Sequence, residues 1–376
     1  EKQDQESGGS ESNPLADRRA KLERFRDEGI EPYPHGFPDR TEIAAVRESH
    51  QGLEAGVETS DRYRVAGRLL ARRGHGKASF LDIRDGTGQI QVQARLDELG
   101  ETYERLLSLD IGDIVGIEGT VFASKRGELS IRADAWELLS KSLRPPPEKF
   151  HGLEDVETRY RKRELDLIAN EETRELFLKR AQTIAAVRNW FDSRGFVEVE
   201  TPVLQPLYGG ALARPFTTHH NALDRDFYLR IATELYLKRL VVGGIDRVYE
   251  LGKDFRNEGV SHKHNPEFTM LEWYEAYVDY EDVARELESL VSEVAKKVNG
   301  TTEVEREGET IDLAPPWRRV TLRDAIRDET GIDVLEHPTR EALAAAMGSE
   351  PDPEEGWGKL VDGLLSKEVE PKPVSY

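Results

Sequence analysis

Apolar residues along the chain follow two regimes: short alternating runs up to about residue 140, then longer helical periods mixed with strands. Asn13-Pro14 supplies a cap and a proline at the first helical position, predicting a helix over 14–27 with Gly29 as its stop. Glu31-Pro32-Tyr33-Pro34-His35-Gly36-Phe37-Pro38 leaves no room for regular structure and reads as a linker. Alternation predicts strands at 65–71, 78–84 and 89–93, the last two joined by Asp85-Gly86-Thr87-Gly88. A short helix at about 96–108 follows, then strands at 114–122 and 129–139 meeting at Lys125-Arg126-Gly127. Five strands with a helix between the third and fourth is the order of an OB-fold, a small barrel that binds oligonucleotides, or of another small β-barrel without that function.

Arg144-Pro145-Pro146-Pro147 closes that region. Beyond it, a long helix is predicted over 171–194, with Phe177, Ile184, Val187 and Phe191 on one face and Gly195 as its stop. Strands at 196–199, 227–231, 248–255 and 267–277 and a helix at 234–241 complete a mixed pattern without repeats. The fold class is therefore α+β and multidomain. Residues 1–13 read as a disordered tail, 14–60 as a helical extension and linker, 61–144 as the barrel and 145–376 as a second domain.

Composition narrows the function classes. The 53 Lys+Arg against 73 Asp+Glu give a net charge of −20, spread as about −6 over 1–60, +1 over 61–150 and −15 over 151–376. The barrel is thus the least acidic part, and an overall nucleic-acid coat is excluded while a local basic patch is not. The absence of cysteine removes disulfide scaffolds and thiolate metal sites and fits a cytoplasmic location. No run of ~18 apolar residues suggests a membrane span. The chain opens on Glu1, with no secretory pattern, as a processed or shortened chain would.

Common nucleotide motifs are missing. Gly76-Lys77 has Ala71 where a P-loop needs glycine, and Gly86-x-Gly88 runs on to Gln91 where a dinucleotide fingerprint needs one. His262-Lys263-His264 lacks a third ligand at metal spacing and reads as a solvated loop. The chemistry concentrates in 248–277, where two strands flank a loop rich in His, Lys and Glu. Arg256 ends the first strand, where its fork can grip a phosphate and a carboxylate together. In the second strand, alternation puts Phe268, Met270, Glu272 and Tyr274 on one face: an aromatic platform, then a carboxylate, then a phenol. Such a face suits a purine beside a cationic group, although Phe and Met also suit a plain core.

Phe255-Arg256-Asn257-Glu258 through His264-Asn265-Pro266-Glu267-Phe268-Thr269 resembles motif 2 of the class II aminoacyl-tRNA synthetases, in the wording of the lysyl-tRNA synthetases. Gly209-Gly210-Ala211-Leu212-Ala213-Arg214-Pro215-Phe216, Thr218-His219-His220-Asn221 and Ala232-Thr233-Glu234-Leu235-Tyr236-Leu237-Lys238-Arg239-Leu240 are similar to signatures of the same family, as is His151-Gly152-Leu153. The helix at 171–194 with Gly195-Phe196-Val197-Glu198-Val199-Glu200-Thr201-Pro202 resembles motif 1, an element of that family's dimer interface. One departure is Glu164, where the family usually carries Tyr.

The resemblance implies an anticodon-binding OB-fold followed by an antiparallel-sheet catalytic domain that ligates lysine to tRNA(Lys) with ATP. It implies that Arg256 contacts the α-phosphate and the amino-acid carboxylate, that Glu258 reads the adenine amino group, that His264 and Asn265 lie on the phosphate side and that Phe268 stacks on the adenine. The lysine ammonium would lie near Glu272 and Tyr274, and its α-amino end near Gly210 and Glu234. In the barrel, Phe80 and Gln91 would read the anticodon, with Arg72 and Glu128 as further candidates. A homodimer through 171–202 and a requirement for Mg²⁺ are also implied. The family's motif 3, Gly-x-Gly-x-x-x-x-Arg, does not follow Tyr277, and Gly243-Gly244-Ile245-Asp246-Arg247 precedes motif 2. Motif 3 and the Mg²⁺ ligands are therefore expected beyond Tyr376, and the 376-residue chain is expected to make no adenylate unaided. The alternatives are a non-catalytic RNA-binding or regulatory protein on the same scaffold and a lysine ligase acting on a protein. The barrel speaks against the second.

Overall fold

The computed structural model describes residues 13–147, 153–259, 261, 264–306, 308–348 and 355–371. The expected tail over 1–12, most of His151-Gly152-Leu153 and the His262-Lys263 pair lie outside the described residues. The chain divides between Glu175 and Leu176 into two compact units, whereas the sequence pattern puts the boundary after Arg144.

In the first unit, α1 (Pro14–Asp27) begins as the cap pattern requires. The Asn13 side chain accepts from the Leu15 and Ala16 N–H groups at 3.2 and 3.4 Å. Its Arg18 donates to the carbonyls of Ile111 and Ser142 at 3.0 Å, and Phe25 enters the barrel core, so the helix is part of the barrel's packing. The helix α2 (Ile43–Ser49) was not legible in the sequence, because its caps come from elsewhere. The Ile43 N–H donates to the Asp85 carboxylate at 3.0 Å and the Ala44 N–H to Thr87 Oγ1 at 3.1 Å, both 40-odd residues away.

The barrel comprises β1 (Glu58–His75), β2 (Ala78–Arg84), β3 (Gln89–Arg95), β4 (Ile114–Ala123) and β5 (Leu129–Ser140), closed in the order β1-β2-β3-β5-β4. β1 is much longer than expected because it serves two partners, β4 through its first half and β2 through its second, with a register shift between Leu69 and Ala71. β3 and β5 pair in parallel, which closes the barrel. Val65, Leu69, Ile83, Val92, Ile117 and Ile131 fill it. The expected helix over 96–108 is two short ones, α3 (Leu96–Leu99) and α4 (Thr102–Leu107), broken at Gly100, which sits at φ 54°. α5 (Val156–Arg161) and α6 (Arg163–Ala169) follow, tied by the buried Asp166, which pairs with Arg159 and Arg163. Glu164 is exposed on α6, so the family departure buries no charge.

The long helix α7 (Glu171–Asp192) crosses from one unit to the next. Phe177, expected on its inner face, is exposed, as are Leu176 and Leu178. Only the later turns, through Val187, Trp190 and Phe191, reach a core. Two sheets of the second unit are built from β6 (Val197–Glu198), β7 (Leu204–Gln205), β8 (Thr217–His220), β9 (Arg225–Leu229), β10 (Arg247–Phe255) and β11 (Glu267–Glu275). Their orders are β11-β10-β6 and β7-β9-β8. Between β9 and β10 in sequence lies α8 (Glu234–Val242), and after β11 comes α9 (Tyr280–Asn299), opened by a capping box from Asp279 and Asp282. Phe191, Tyr249, Leu271, Trp273 and Leu290 pack α7 and α9 against one face of β10 and β11. A hairpin, β12 (Glu303–Arg306) with β13 (Glu309–Asp312), precedes α10 (Leu322–Thr330), α11 (Arg340–Met347) and α12 (Trp357–Leu364), which share a small core around Ile326, Leu343 and Val361.

Candidate functional site

The face of β10 and β11 away from α7 and α9 carries the chemistry. The two strands pair antiparallel, with Glu250 opposite Glu272, Gly252 opposite Met270 and Asp254 opposite Phe268. Cross-strand partners share a face, so the alternation of β11 brings Phe268, Met270, Glu272 and Tyr274 together with Glu250, Asp254 and, at the strand's end, Arg256.

At one end Glu272 accepts from the Thr233 N–H at 3.1 Å and from the Tyr274 hydroxyl at 3.4 Å. Burial, together with the negative charges of Glu272 and Glu234, pushes the Tyr274 phenol up, so it stays a hydrogen-bond donor across the physiological range. Gly210 sits at φ 89°, and a Cβ there would stand 2.9 Å from Glu234 Cβ and 3.1 Å from Ala232 Cβ. Its backbone thus closes on the first turn of α8, where the Lys238 ammonium holds Glu234 at 2.7 Å and lies 5.9 Å from the Tyr274 ring centre. Gly210, Glu234, Glu272 and Tyr274 form one acidic, aromatic recess.

At the other end the Arg256 guanidinium lies over the Phe268 ring at 5.1 Å, a cation on an aromatic platform. The Arg256 N–H donates to the Pro266 carbonyl at 2.9 Å, and Asn257 donates to the Arg214 carbonyl at 2.8 Å, which fixes the start of the loop. Within the loop the His264 imidazole meets Ser261 Oγ at 2.9 Å. His264, Asn265 and Glu258 are exposed and touch neither Arg256 nor Phe268 through any hydrogen bond among the described residues.

Sequence reasoning missed the floor beneath these groups. Arg230, almost wholly buried, donates to the Lys253 carbonyl at 2.9 Å and to Thr201 O and Oγ1 at 3.2 and 3.3 Å, and it pairs with Glu250 and Asp254. Thr201 in turn donates to Glu250 through its hydroxyl at 2.6 Å. Arg230 lies flat on Gly252, where a Cβ would collide with its guanidinium. Burial pushes the Asp254 carboxyl up to about 6, against the pull of Arg230 and Arg256 and with the push of Glu272 and Glu250. The signal that could have found these carboxylates is the same period of two: followed back along β10 from Arg256, it reaches Asp254 and Glu250.

The Mg²⁺ ligands that the resemblance implies are expected beyond Tyr376 and not on this face. Among the described residues no group of three or more His, Asp or Glu is placed to hold a metal, and the carboxylates of this face are engaged by Arg230, Thr201, Thr233 and Tyr274.

The barrel carries a second candidate site, a cavity of about 700 Å³ lined by Phe80, Gln91, Glu128, Arg73, Phe122 and Arg132 among others. Gln91 Oε1 accepts from Ser130 Oγ at 3.1 Å, which fixes the amide, and Arg132 lies 5.1 Å over Phe122 while paired with Glu58. Phe80, Gln91 and Glu128 thus meet in one recess, but Arg72 is not among the residues lining it. Its guanidinium is turned to the carbonyls of Leu107 and Leu109, and its neighbour Arg73, paired with Asp82 at 2.8 Å, lines the cavity instead. Adjacent strand residues point to opposite faces, so a one-residue choice decides which arginine reaches the ligand side.

This combination of a nucleic-acid-type barrel and an Arg–Phe and Glu–Tyr strand face defines a class. Residues 155–350 match the family described as tRNA synthetases class II (D, K and N), and residues 63–139 match the OB-fold nucleic acid binding domain. The relatives narrow the class. The lysine–tRNA ligase of Dehalococcoides mccartyi (strain ATCC BAA-2266 / KCTC 15142 / 195) is 53% identical over 367 residues, covering 95% of this chain and 73% of the relative. Those of Pelotomaculum thermopropionicum and Moorella thermoacetica are 51% and 50% identical, over 94% and 96% of this chain and 70% and 74% of their own lengths. The chain belongs to the lysine–tRNA ligase family of class II tRNA synthetases.

Proposed function

We propose that the protein ligates lysine to tRNA with ATP, and that the strand face just described is where lysine is activated. The lysine carboxylate attacks the α-phosphorus of ATP, the bond to pyrophosphate breaks, and the lysyl group of the resulting adenylate passes to a terminal ribose hydroxyl of tRNA(Lys). Such chemistry asks for positioning and charge neutralisation more than for covalent help. Arg256 is the catalytic residue, neutralising the α-phosphate and the attacking carboxylate together. Phe268 stacks on the adenine, Glu258 takes its amino group, and His264 and Asn265 lie on the phosphate side. Glu272 and Tyr274 receive the lysine ammonium, while Gly210 and Glu234 receive its α-amino group.

The observation that carries this reading is spacing along one face, a carboxylate–phenol pair at Glu272 and Tyr274 and an arginine–aromatic pair at Arg256 and Phe268, with Phe268 and Glu272 four residues apart along β11. A cation and an anion carried on one small molecule match it. Phe80, Gln91 and Glu128 read the anticodon by stacking and hydrogen bonding, with Arg73 taking the place expected of Arg72. Exposed Leu176, Phe177, Leu178 and Val197 in the 171–202 region support a homodimer through that surface. Among the described residues no helix is long and apolar enough to cross a membrane. The test is Arg256→Ala in the native protein: lysine-dependent ATP–pyrophosphate exchange should vanish, and exchange at the wild-type rate would refute the assignment.

A further inference from the structure

Beneath Arg256 lies a group that this reading leaves unused. The Asp254 side chain is completely buried. Arg230 Nε stands 3.1 Å from one of its oxygens, yet that N–H points to the Lys253 carbonyl, and neither Asp254 oxygen accepts a hydrogen bond among the described residues. Two positions along, Arg256 Nε is likewise buried without an acceptor among the described residues. Residues i and i+2 of a strand share a face at ~6.5–7 Å. Asp254 therefore sits between two guanidinium groups, Arg230 from the segment after β9 and Arg256 from its own strand. Glu250 on β10 and Glu272 on β11 are the other charges that face it. A buried carboxylate held by charge alone, with its hydrogen bonds unmade, depends on both cations to stay ionised.

Resting on the assignment of Arg256 to the α-phosphate, we propose that Asp254 is a positioning residue whose ionisation is coupled to the occupancy of Arg256. With Arg256 unengaged, both guanidinium groups compensate the carboxylate. When a phosphate settles on Arg256, one of those compensating charges is neutralised and a new negative charge arrives ~7 Å away. Asp254 then takes a proton from solvent onto a carboxyl oxygen, which removes the repulsion and relaxes the floor against Arg230. The carboxyl's position at about 6 in the empty site puts this exchange within reach near neutral pH. By linkage, uptake of a proton on binding means that ATP binds more weakly as pH rises.

The test compares wild type with Asp254→Asn, which keeps the shape and loses the charge. Calorimetric titration of the native protein with a non-hydrolysable ATP analogue, in buffers of different ionisation enthalpy, counts the protons taken up. Titration of the analogue's own phosphates is common to both proteins and cancels in the difference. Wild type should take up a measurable fraction of a proton between pH 6 and 7.5 that Asp254→Asn does not. Its affinity should also fall about tenfold relative to Asp254→Asn from pH 5.5 to 8, as a one-unit shift requires. Asp254→Ser serves the same comparison if the amide folds poorly. Equal proton counts and parallel affinity profiles would overturn the coupling. Arg256→Ala separates the two readings: intact binding of the analogue there refutes the phosphate assignment, while lost binding beside an Asp254→Asn profile identical to wild type refutes the coupling alone.

Discussion

Glu272 is a half-buried carboxylate that accepts from one backbone N–H and one phenol, and this leaves it an unfilled appetite for a cation. A lysine ammonium supplies that cation, and its contact is the same in the ground state and at the transition state, since the reacting atoms lie at the other end of the molecule. Glu272→Gln should therefore raise the KM for lysine by roughly 100-fold, about 3 kcal/mol for one partner of a desolvated charge pair, with kcat nearly unchanged. Steady-state kinetics of pyrophosphate exchange in the native protein decide it, and a loss confined to kcat would contradict the assignment. Gly252 makes a separate case, because its missing Cβ is where Arg230 lies. Gly252→Ala forces Arg230 off Thr201 and Glu250 and should cost about 1–3 kcal/mol, read as a lowered melting temperature. An unchanged melting temperature would show that the guanidinium has room to move.

At the scale of elements, the packing of α9 on β11 contains a pH-dependent joint. Glu286 on α9 accepts from the Trp273 indole N–H at 3.1 Å and faces Glu275, which is itself buried and paired with Arg247. Burial, reinforced by the Glu275 carboxylate, pushes the Glu286 carboxyl up to about 7. A carboxyl raised in the folded state stabilises the fold fully below its ordinary value of 4.5, and that contribution is lost as pH climbs toward 7. Glu286→Gln should flatten the fall in melting temperature between pH 5 and 8 and melt above wild type at the upper end. Parallel curves for the two proteins would refute the joint. Of this unit β10, β11 and α8 were legible in outline because they carry their own periodicity, whereas α9 was not expected although it opens on a capping box of its own. Legible too was the face of β11, whose alternation announced Phe268, Glu272 and Tyr274. Much of what else stayed hidden depended on distant partners. α2 is capped by Asp85 and Thr87, β1 is lengthened by serving two neighbours, and Arg230 enters the site from a strand end 20 residues before Glu250. Of the face expected on α7, Val187 and Phe191 reach a core, while Phe177 lies exposed together with Leu176 and Leu178.

For the whole molecule, the question is how a chain of net charge −20 binds a polyanion. At physiological salt, charges beyond a Debye length of ~8 Å are largely screened, so an RNA loop in the barrel cavity feels the groups that line it. Three of those cations are already compensated, Arg73 by Asp82, Arg95 by Asp97 and Arg132 by Glu58, while Lys125 and Arg126 stand exposed at the rim. Affinity should then divide into a stacking part and a phosphate part that respond differently to salt. Phe80→Ala should weaken binding of an anticodon stem-loop by about 1–3 kcal/mol at every salt concentration, leaving the slope of log K against log salt unchanged. Lys125→Ala or Arg126→Ala should instead make that slope shallower by about 0.7 for each phosphate left without its cation, with little effect on base preference. Fluorescence anisotropy over a salt series with the whole chain distinguishes the two. If Phe80→Ala changed the slope, or if the rim variants lost affinity equally at all salt concentrations, the cavity would be binding RNA by some means other than a stacked base framed by two phosphate-facing cations.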